Sequence, residues 1–138
     1  MHDAARRSPV ESLVLRYFEA FLPALFGRLL IPDLESLTTC FAIEVTDLDA
    51  PPWRIGIEAG RLVFVRHDGP EPLCTFQLDG ETLLEVAAAR IAPAEAFFAK
   101  RIDLEGDMEL GLKLSTVLAP FFEGFPFHAE GEIAAPRA

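Results

Sequence analysis

The residues with the most obvious chemical potential are four carboxylates that alternate with other residues near the end of the chain: Asp103, Glu105, Asp107 and Glu109. A string of oxygen ligands could hold a hard cation, but this one lacks the spacing of a calcium-binding loop. Alternation places the first two on one face of a short strand. After the sharp turn that Gly106 permits, Asp107 is a favourable helix N-cap. We therefore predict a solvated strand face and a helix cap, with no metal site.

The remaining candidates for catalysis are separated from one another along the chain. His2, His67 and His128 all fall in predicted loops or tails, and none has a partner at helical spacing. Ser115 and Thr116 lie within a predicted helix, without an adjacent base that could activate a hydroxyl. The glycines form no phosphate-binding loop. This pattern favours a binding protein that has no cofactor and is not an enzyme.

Charge and composition narrow the classes of partner. The 138 residues carry a net charge of −10, whereas nucleic-acid binding needs a basic face. The same charge opposes an anionic membrane, so any membrane contact would be hydrophobic and transient. The chain is 51% hydrophobic, with 12 Phe against one Trp and one Tyr. Phe adds bulk without a polar group, which suits either a tight core or the wall of an apolar cavity.

The cysteines and the N-terminus indicate the compartment. Cys40 and Cys74 lie in separate apolar runs, where buried free thiols are usual. A disulfide between neighbouring strands would need an oxidising compartment. Charged residues at Glu11, Arg16 and Glu19 interrupt the first apolar stretch, so it does not have the pattern of a signal peptide. We expect a cytoplasmic protein.

Periodicity predicts one α+β domain. Strands are expected at residues 39–46, 53–58, 61–66 and 73–78, and their short connections indicate an antiparallel meander. A helix should begin at Asp79/Gly80 and a second at Pro93, followed by a strand at 102–105. Asp107 should cap the last helix, which Pro120 should end.

The N-terminal segment has pairs of apolar residues at helical spacing from Val10 to Leu30. Ser8 is a suitable N-cap, and Pro23 should kink or break the helix near Leu22. This helix is either a packing helix or one that serves as a lid or contacts a membrane or partner. The predicted organisation is a leader and apolar helix at 1–33, a domain at 34–127, and a disordered tail at 128–138.

The order of elements resembles the sterol carrier protein-2 (SCP2) domain family. The resemblance rests on residues 96–98 (AFF) and 101–112 (RIDLEGDMELGL), with residues 41–45 (FAIEV), 53–57 (WRIGI) and 74–78 (CTFQL) similar to its strands. Within the family, residues 97–112 look most like the UbiT-type bacterial ubiquinone biosynthesis accessory factors. Met108 stands where that group has Thr.

The resemblance implies an α+β, SCP2-like fold in which helices cover a five-stranded, mostly antiparallel sheet and enclose an apolar tunnel. It implies an accessory protein that presents a polyprenylated ubiquinone precursor to biosynthetic enzymes in the oxygen-independent route. The candidate lipid-binding residues are apolar, and each is also compatible with plain core packing: Phe76, Phe97, Phe98, Met108, Leu112 and Phe121.

Two other hypotheses remain open at this stage. One is a generic sterol or fatty-acyl carrier, because an apolar tunnel selects weakly among apolar chains. The other is a protein-interaction module that docks a partner through its N-terminal helix.

Overall fold

The computed structural model describes residues 9–30 and 37–128. Its elements, in chain order, are α1 (Pro9–Arg16), a π-helical turn (Tyr17–Phe21), a 3-10 turn (Pro23–Leu25), β1 (Thr39–Val45), β2 (Trp53–Glu58), β3 (Arg61–Arg66), β4 (Cys74–Leu78), α2 (Gly80–Ala87), α3 (Pro93–Phe98), β5 (Asp103–Gly106), α4 (Met108–Val117) and α5 (Ala119–Gly124).

The N-terminal helix loses its regular geometry before the predicted break. After α1 the Leu22 amide donates to the Tyr17 carbonyl oxygen at 2.9 Å, a bond that spans five residues. Pro23 then begins the 3-10 turn. Val14, Tyr17 and Phe18 are all buried, so this segment packs into the core. The predicted Ser8 cap and the 33/34 boundary lie outside the described residues.

The sheet has the strand order β3-β2-β1-β4-β5. The β1–β2, β2–β3 and β4–β5 pairs are antiparallel, and β1 and β4 run parallel. The prediction of five strands in a mostly antiparallel sheet is confirmed. The predicted meander is wrong at the fourth strand. In a meander β4 would pair with β3, whereas here it pairs with β1.

The connection between β3 and β4 explains this departure. An Arg54 Nη1 donates to the carbonyl oxygens of Gly69 (2.7 Å) and Pro70 (3.0 Å). At the end of the connection, the Leu73 amide donates to the Cys40 carbonyl oxygen at 2.9 Å. The connection is thereby held against β2 and then β1, so the chain reaches the free side of β1.

The helix starts agree with the sequence. Asp79 Oδ1 accepts from the Thr82 amide at 2.8 Å, and Asp107 Oδ1 accepts from the Leu110 amide at 3.0 Å. Both carboxylates therefore cap their helices, so the predicted Asp107 cap and the predicted start of α2 at Asp79/Gly80 are confirmed. Helix α4 ends at Val117, before Pro120, as expected, and Pro120 itself lies in the first turn of the further short helix α5, where its missing N–H is tolerated.

The helices cover one face of the sheet, and a single apolar core lies between the two layers. Close approach of α4 depends on Gly111, since a Cβ there would stand 2.3 Å from Leu104 Cδ2 on β5. At the C-terminal end, Phe127 is fully buried, and its amide donates to the Ala87 carbonyl oxygen at 2.9 Å. His128 is exposed, and the rest of the predicted tail lies outside the described residues.

Candidate functional site

An apolar cavity of about 70 Å³ lies between the sheet and the helices. Its floor consists of large apolar side chains on the helix-covered face of β1 to β4: Phe41, Ile43, Ile55, Ile57, Leu62, Phe76 and Leu78. Strand alternation and register bring these side chains together. Phe41 pairs with Ile55, and Ile43 with Phe76. The rings of Phe41 and Phe76 meet edge to face, with centroids 5.7 Å apart.

The roof of the cavity comes from the N-terminal segment after α1 and from α2 to α5. The side chains that contribute to it are Tyr17 and Leu22 from the N-terminal segment, Leu83 and Val86 from α2, Pro93 from α3, Leu114, Ser115 and Leu118 from α4 and its C-cap, and Phe121 and Phe122 from α5. The N-terminal segment is thus part of the cavity wall. It packs into the core, and the alternative of a lid or of a membrane or partner contact stays a prediction.

The two polar side chains in this wall are not available as charges. The Ser115 hydroxyl donates to the Gly111 carbonyl oxygen at 2.9 Å, within its own helix. Burial raises the pKa of the Tyr17 phenol far above its ordinary value, so that phenol stays neutral. The cavity can therefore accept uncharged apolar groups, whereas an ionised group would lose its hydration there without gaining a partner.

Two of the six predicted lipid-binding residues, Phe76 and Phe121, line the cavity. Phe97 is half-buried against the core, and its ring contacts that of Phe98. Phe98, Met108 and Leu112 are 74%, 53% and 44% exposed. These three predicted residues are exposed and do not line the cavity.

Met108 and Leu112 are exposed because other residues of α4 form its inner face. Gly111, Leu114 and Ser115 are the buried residues of that helix. Gly111 points inward because Leu104 fills the space that its side chain would take. Ser115 follows one turn later on the same face, since residues four apart lie above one another. Met108 and Leu112, also four apart, are therefore turned outward.

Most of the cavity wall was not among the predicted site residues. Ile43, Ile55 and Ile57 line the floor and Leu83 lines the roof, although none of the four was predicted. A signal for three of them was present, because strand alternation already placed Phe41 with Ile43, and Ile55 with Ile57, on one face. Alternation cannot show where the sheet and the helices are far enough apart to leave a cavity.

Other chemistry-bearing residues do not converge within the described part of the chain. No group of three or more His, Cys, Asp or Glu residues there could hold a metal ion. Both thiols are free: Cys74 is buried as expected, while Cys40 is only partly buried. Burial raises the pKa of Cys74 to about 11, and Asp107 adds to this. None of the described helices has the length and apolarity required to cross a membrane.

Two kinds of known protein are similar to this chain. The ubiquinone biosynthesis accessory factor UbiT of Escherichia coli (strain K12) is 32% identical over 77 residues, or 56% of this chain. That match covers 42% of UbiT, so the chain spans less than half the length of the relative. The resemblance inferred from residues 97–112 to UbiT-type proteins is thus confirmed.

Among solved structures, the UbiJ-SCP2 ubiquinone synthesis protein superposes with a TM-score of 0.55 at 16% identity, covering 80% of this chain and 96% of that protein. Palmitated SCP2L2 from Aedes aegypti gives 0.53 at 17% identity, covering 78% and 92%. These likenesses establish the fold. The family model of the SCP-2 sterol transfer family matches residues 28–119. The chain therefore belongs to the SCP-2 sterol transfer family.

Proposed function

We propose that this protein is a non-catalytic accessory factor of ubiquinone biosynthesis that holds a polyprenylated ubiquinone precursor in the cavity between its sheet and helices. The observation that carries the proposal is a cavity wall made of apolar side chains, in which the hydroxyls of Tyr17 and Ser115 are the exceptions. Membership in the SCP-2 family and similarity to UbiT support the same class of ligand.

The proposal requires the cavity to expand when a lipid binds. Its volume of about 70 Å³ is well below the ~300–1,000 Å³ of typical ligand pockets. Burying about 300 Å² of prenyl chain at about 25 cal/mol per Å² would contribute about 7 kcal/mol, which can offset moderate rearrangement of the roof. We propose that Phe76 and Phe121, which already line the cavity, contact the chain, and that expansion produces the lipid tunnel.

The protein would act by presenting the lipid to biosynthetic enzymes in the cytoplasm, with at most transient contact with a membrane. No reacting group is needed for this role. The cavity would shield the prenyl chain from water, and release would depend on movement of the roof.

A matched pair of substitutions on α4 tests whether the cavity binds the lipid. Leu114 is fully buried and lines the cavity, whereas Leu112, two residues earlier, is 44% exposed. Leu114→Phe should weaken binding of a polyprenyl phenol at least about tenfold by filling the cavity, at a stability cost of about 1–3 kcal/mol. Leu112→Phe should bind as the unmodified protein does. Equal binding by both folded variants would contradict the proposal.

A generic acyl carrier remains the second candidate, because the cavity wall offers little to distinguish one apolar chain from another. The similar fold of palmitated SCP2L2 supports that alternative. Competition between a polyprenyl phenol and palmitate for the purified protein separates the two: a strong preference for the phenol supports the precursor, and a preference for palmitate supports the acyl carrier.

An interaction module that docks through the N-terminal helix is harder to isolate from lipid binding. Tyr17 and Leu22 line the cavity, so deletion of residues 10–30 should abolish lipid binding as well as any partner contact that this helix makes. Exposed positions such as Glu19 and Phe26 offer a cleaner test, because substitutions there should leave the cavity intact.

A further inference from the structure

A second, smaller cavity of about 40 Å³ adjoins the first. It lies between the α2–α3 connection and α5, and Pro93 and Phe122 line both cavities. Pro93 is buried, and Phe122 is half-buried. The Phe122 ring therefore stands where the interior cavity meets the surface.

The second cavity, called the outer cavity from here on, is lined partly by short side chains. Ala89, Ala92 and Ala119 contribute to its wall, and none of them extends beyond Cβ. Ala89 has a positive φ of 63°, and it ends α2 with its amide donating to the Val86 carbonyl oxygen at 2.9 Å. This arrangement turns the chain sharply away from α2 and leaves room beside α5.

The two cavities differ in chemistry. Among the described residues that line the outer cavity, Glu123 is the single charged side chain. Arg90, in the same connection, does not line the cavity and has an interaction of its own. A carboxylate can accept a hydrogen bond from a hydroxyl, but it repels a second anion.

We infer that the lipid passes Phe122 between the α2–α3 connection and α5, and that its polar end stays at Glu123, which selects a hydrogen-bond-donating neutral head group over an ionised acid. The inference rests on the proposed function, because it assumes that the inner cavity holds the apolar chain. It adds a port, a gate and a class of head group: a hydroxyl or phenol.

Two lipids with the same chain and different heads provide the test. Geranylgeraniol carries a hydroxyl, and geranylgeranoic acid carries a carboxylate that is ionised at pH 7.5. Their dissociation constants can be measured by displacement of one fluorescent apolar probe. We expect the alcohol to bind about threefold more tightly, because the ionised acid meets the Glu123 carboxylate at the port, and water screens that repulsion since Glu123 is exposed.

Glu123→Lys should reverse this preference, since an ammonium group attracts the acid. Glu81→Lys is the matched control, because it makes the same change in charge at a distance from the outer cavity. Glu81 is exposed at the start of α2, and Ala89 lies beyond the other end of that helix. The control should leave the ratio of the two dissociation constants unchanged. An unchanged ratio in Glu123→Lys would overturn the assignment of the head-group site.

The gate is tested by rates. Phe122→Ala should accelerate dissociation of geranylgeraniol at least about fivefold, because a bulky side chain is removed from the path. Phe98→Ala is the matched control: it removes an exposed ring that lines neither cavity, and it should not change the rate. Equal rates in the two variants would overturn the port.

The outcomes separate this inference from the proposed function. If neither lipid displaces the probe, both fail. If both lipids bind with equal affinity and the variants at Glu123 and Phe122 behave as the unmodified protein does, the cavity still binds lipid, and only the port and its selectivity are refuted.

Discussion

Gly111→Ala should destabilise the protein, although alanine is the better helix former. In the interior of α4 the substitution would stabilise the helix by about 1 kcal/mol if nothing opposed it. The new Cβ, however, would lie 2.3, 2.6 and 2.8 Å from Leu104 Cδ2, Cδ1 and Cγ. Leu104 is 8% exposed, so it has little room to move. Overpacking of this kind costs about 1–3 kcal/mol, and we expect a net loss of about 1 kcal/mol.

The assay is urea denaturation of four proteins that form a double-mutant cycle. Leu104→Ala removes all three atoms that the new Cβ would meet. In that background Gly111→Ala should therefore stabilise, by about 1 kcal/mol, so the sign of its effect reverses. The predicted coupling between Gly111 and Leu104 is about 2 kcal/mol.

Gly124→Ala serves as the control, because a Cβ at Gly124 would meet nothing within 4 Å. Its effect should stay within about 0.5 kcal/mol. The reasoning is refuted if Gly111→Ala stabilises the otherwise unmodified protein, or if its effect has the same sign and size with and without the Leu104 side chain.

Three further predictions concern single positions. Lys100 has a positive φ of 65° just after α3, so Lys100→Gly should raise the free energy of unfolding by about 1 kcal/mol and shift the urea midpoint upward; a lower midpoint would contradict this. Hydrogen bonds from the side chain and amide of Thr82 lower the pKa of Asp79, so its carboxylate stabilises the fold above the unfolded-state pKa and this contribution is lost as pH falls through the folded-state value. Asp79→Ala should therefore cost about 1 kcal/mol at pH 7, with the difference shrinking below about pH 4 in urea titrations; a pH-independent difference would count against the cap. A maleimide at pH 8 should modify Cys40, which is partly buried, well before Cys74, whose pKa burial raises to about 11; mass spectrometry that finds equal rates would refute the placement of the two thiols.

The positions of individual strands could be predicted from the sequence, because they depend on neighbouring residues. The pairing of the strands could not. The alternation of apolar residues located β2 at Trp53–Glu58, because strand faces alternate whatever the strand pairs with. The pairing of β4 did not follow, since alternation does not say which strand is the neighbour; the connection that leads to β4 is held to Arg54 through its carbonyl oxygens. That contact joins residues fifteen and sixteen positions apart, which no pattern within a strand reveals.

The site was harder to predict than the fold, because hydrophobicity alone does not identify an inner helix face. Met108 and Leu112 have larger and more apolar side chains than Gly111 and Ser115, yet Gly111 and Ser115 are the buried residues. Close packing against Leu104 requires the small residue, and a hydrogen bond to its own helix lets the serine be buried. Small and self-satisfied side chains thus mark the inner face as clearly as large apolar ones.

The central claim is that lipid lies inside the cavity and not on the exposed apolar surface of α4. Intermolecular nuclear Overhauser effects between isotope-labelled protein and an unlabelled polyprenyl phenol test this most directly. The cavity predicts contacts from the prenyl methyl groups to Leu83 and Leu114, which line it. Contacts confined to Met108 and Leu112, both exposed, would contradict the account.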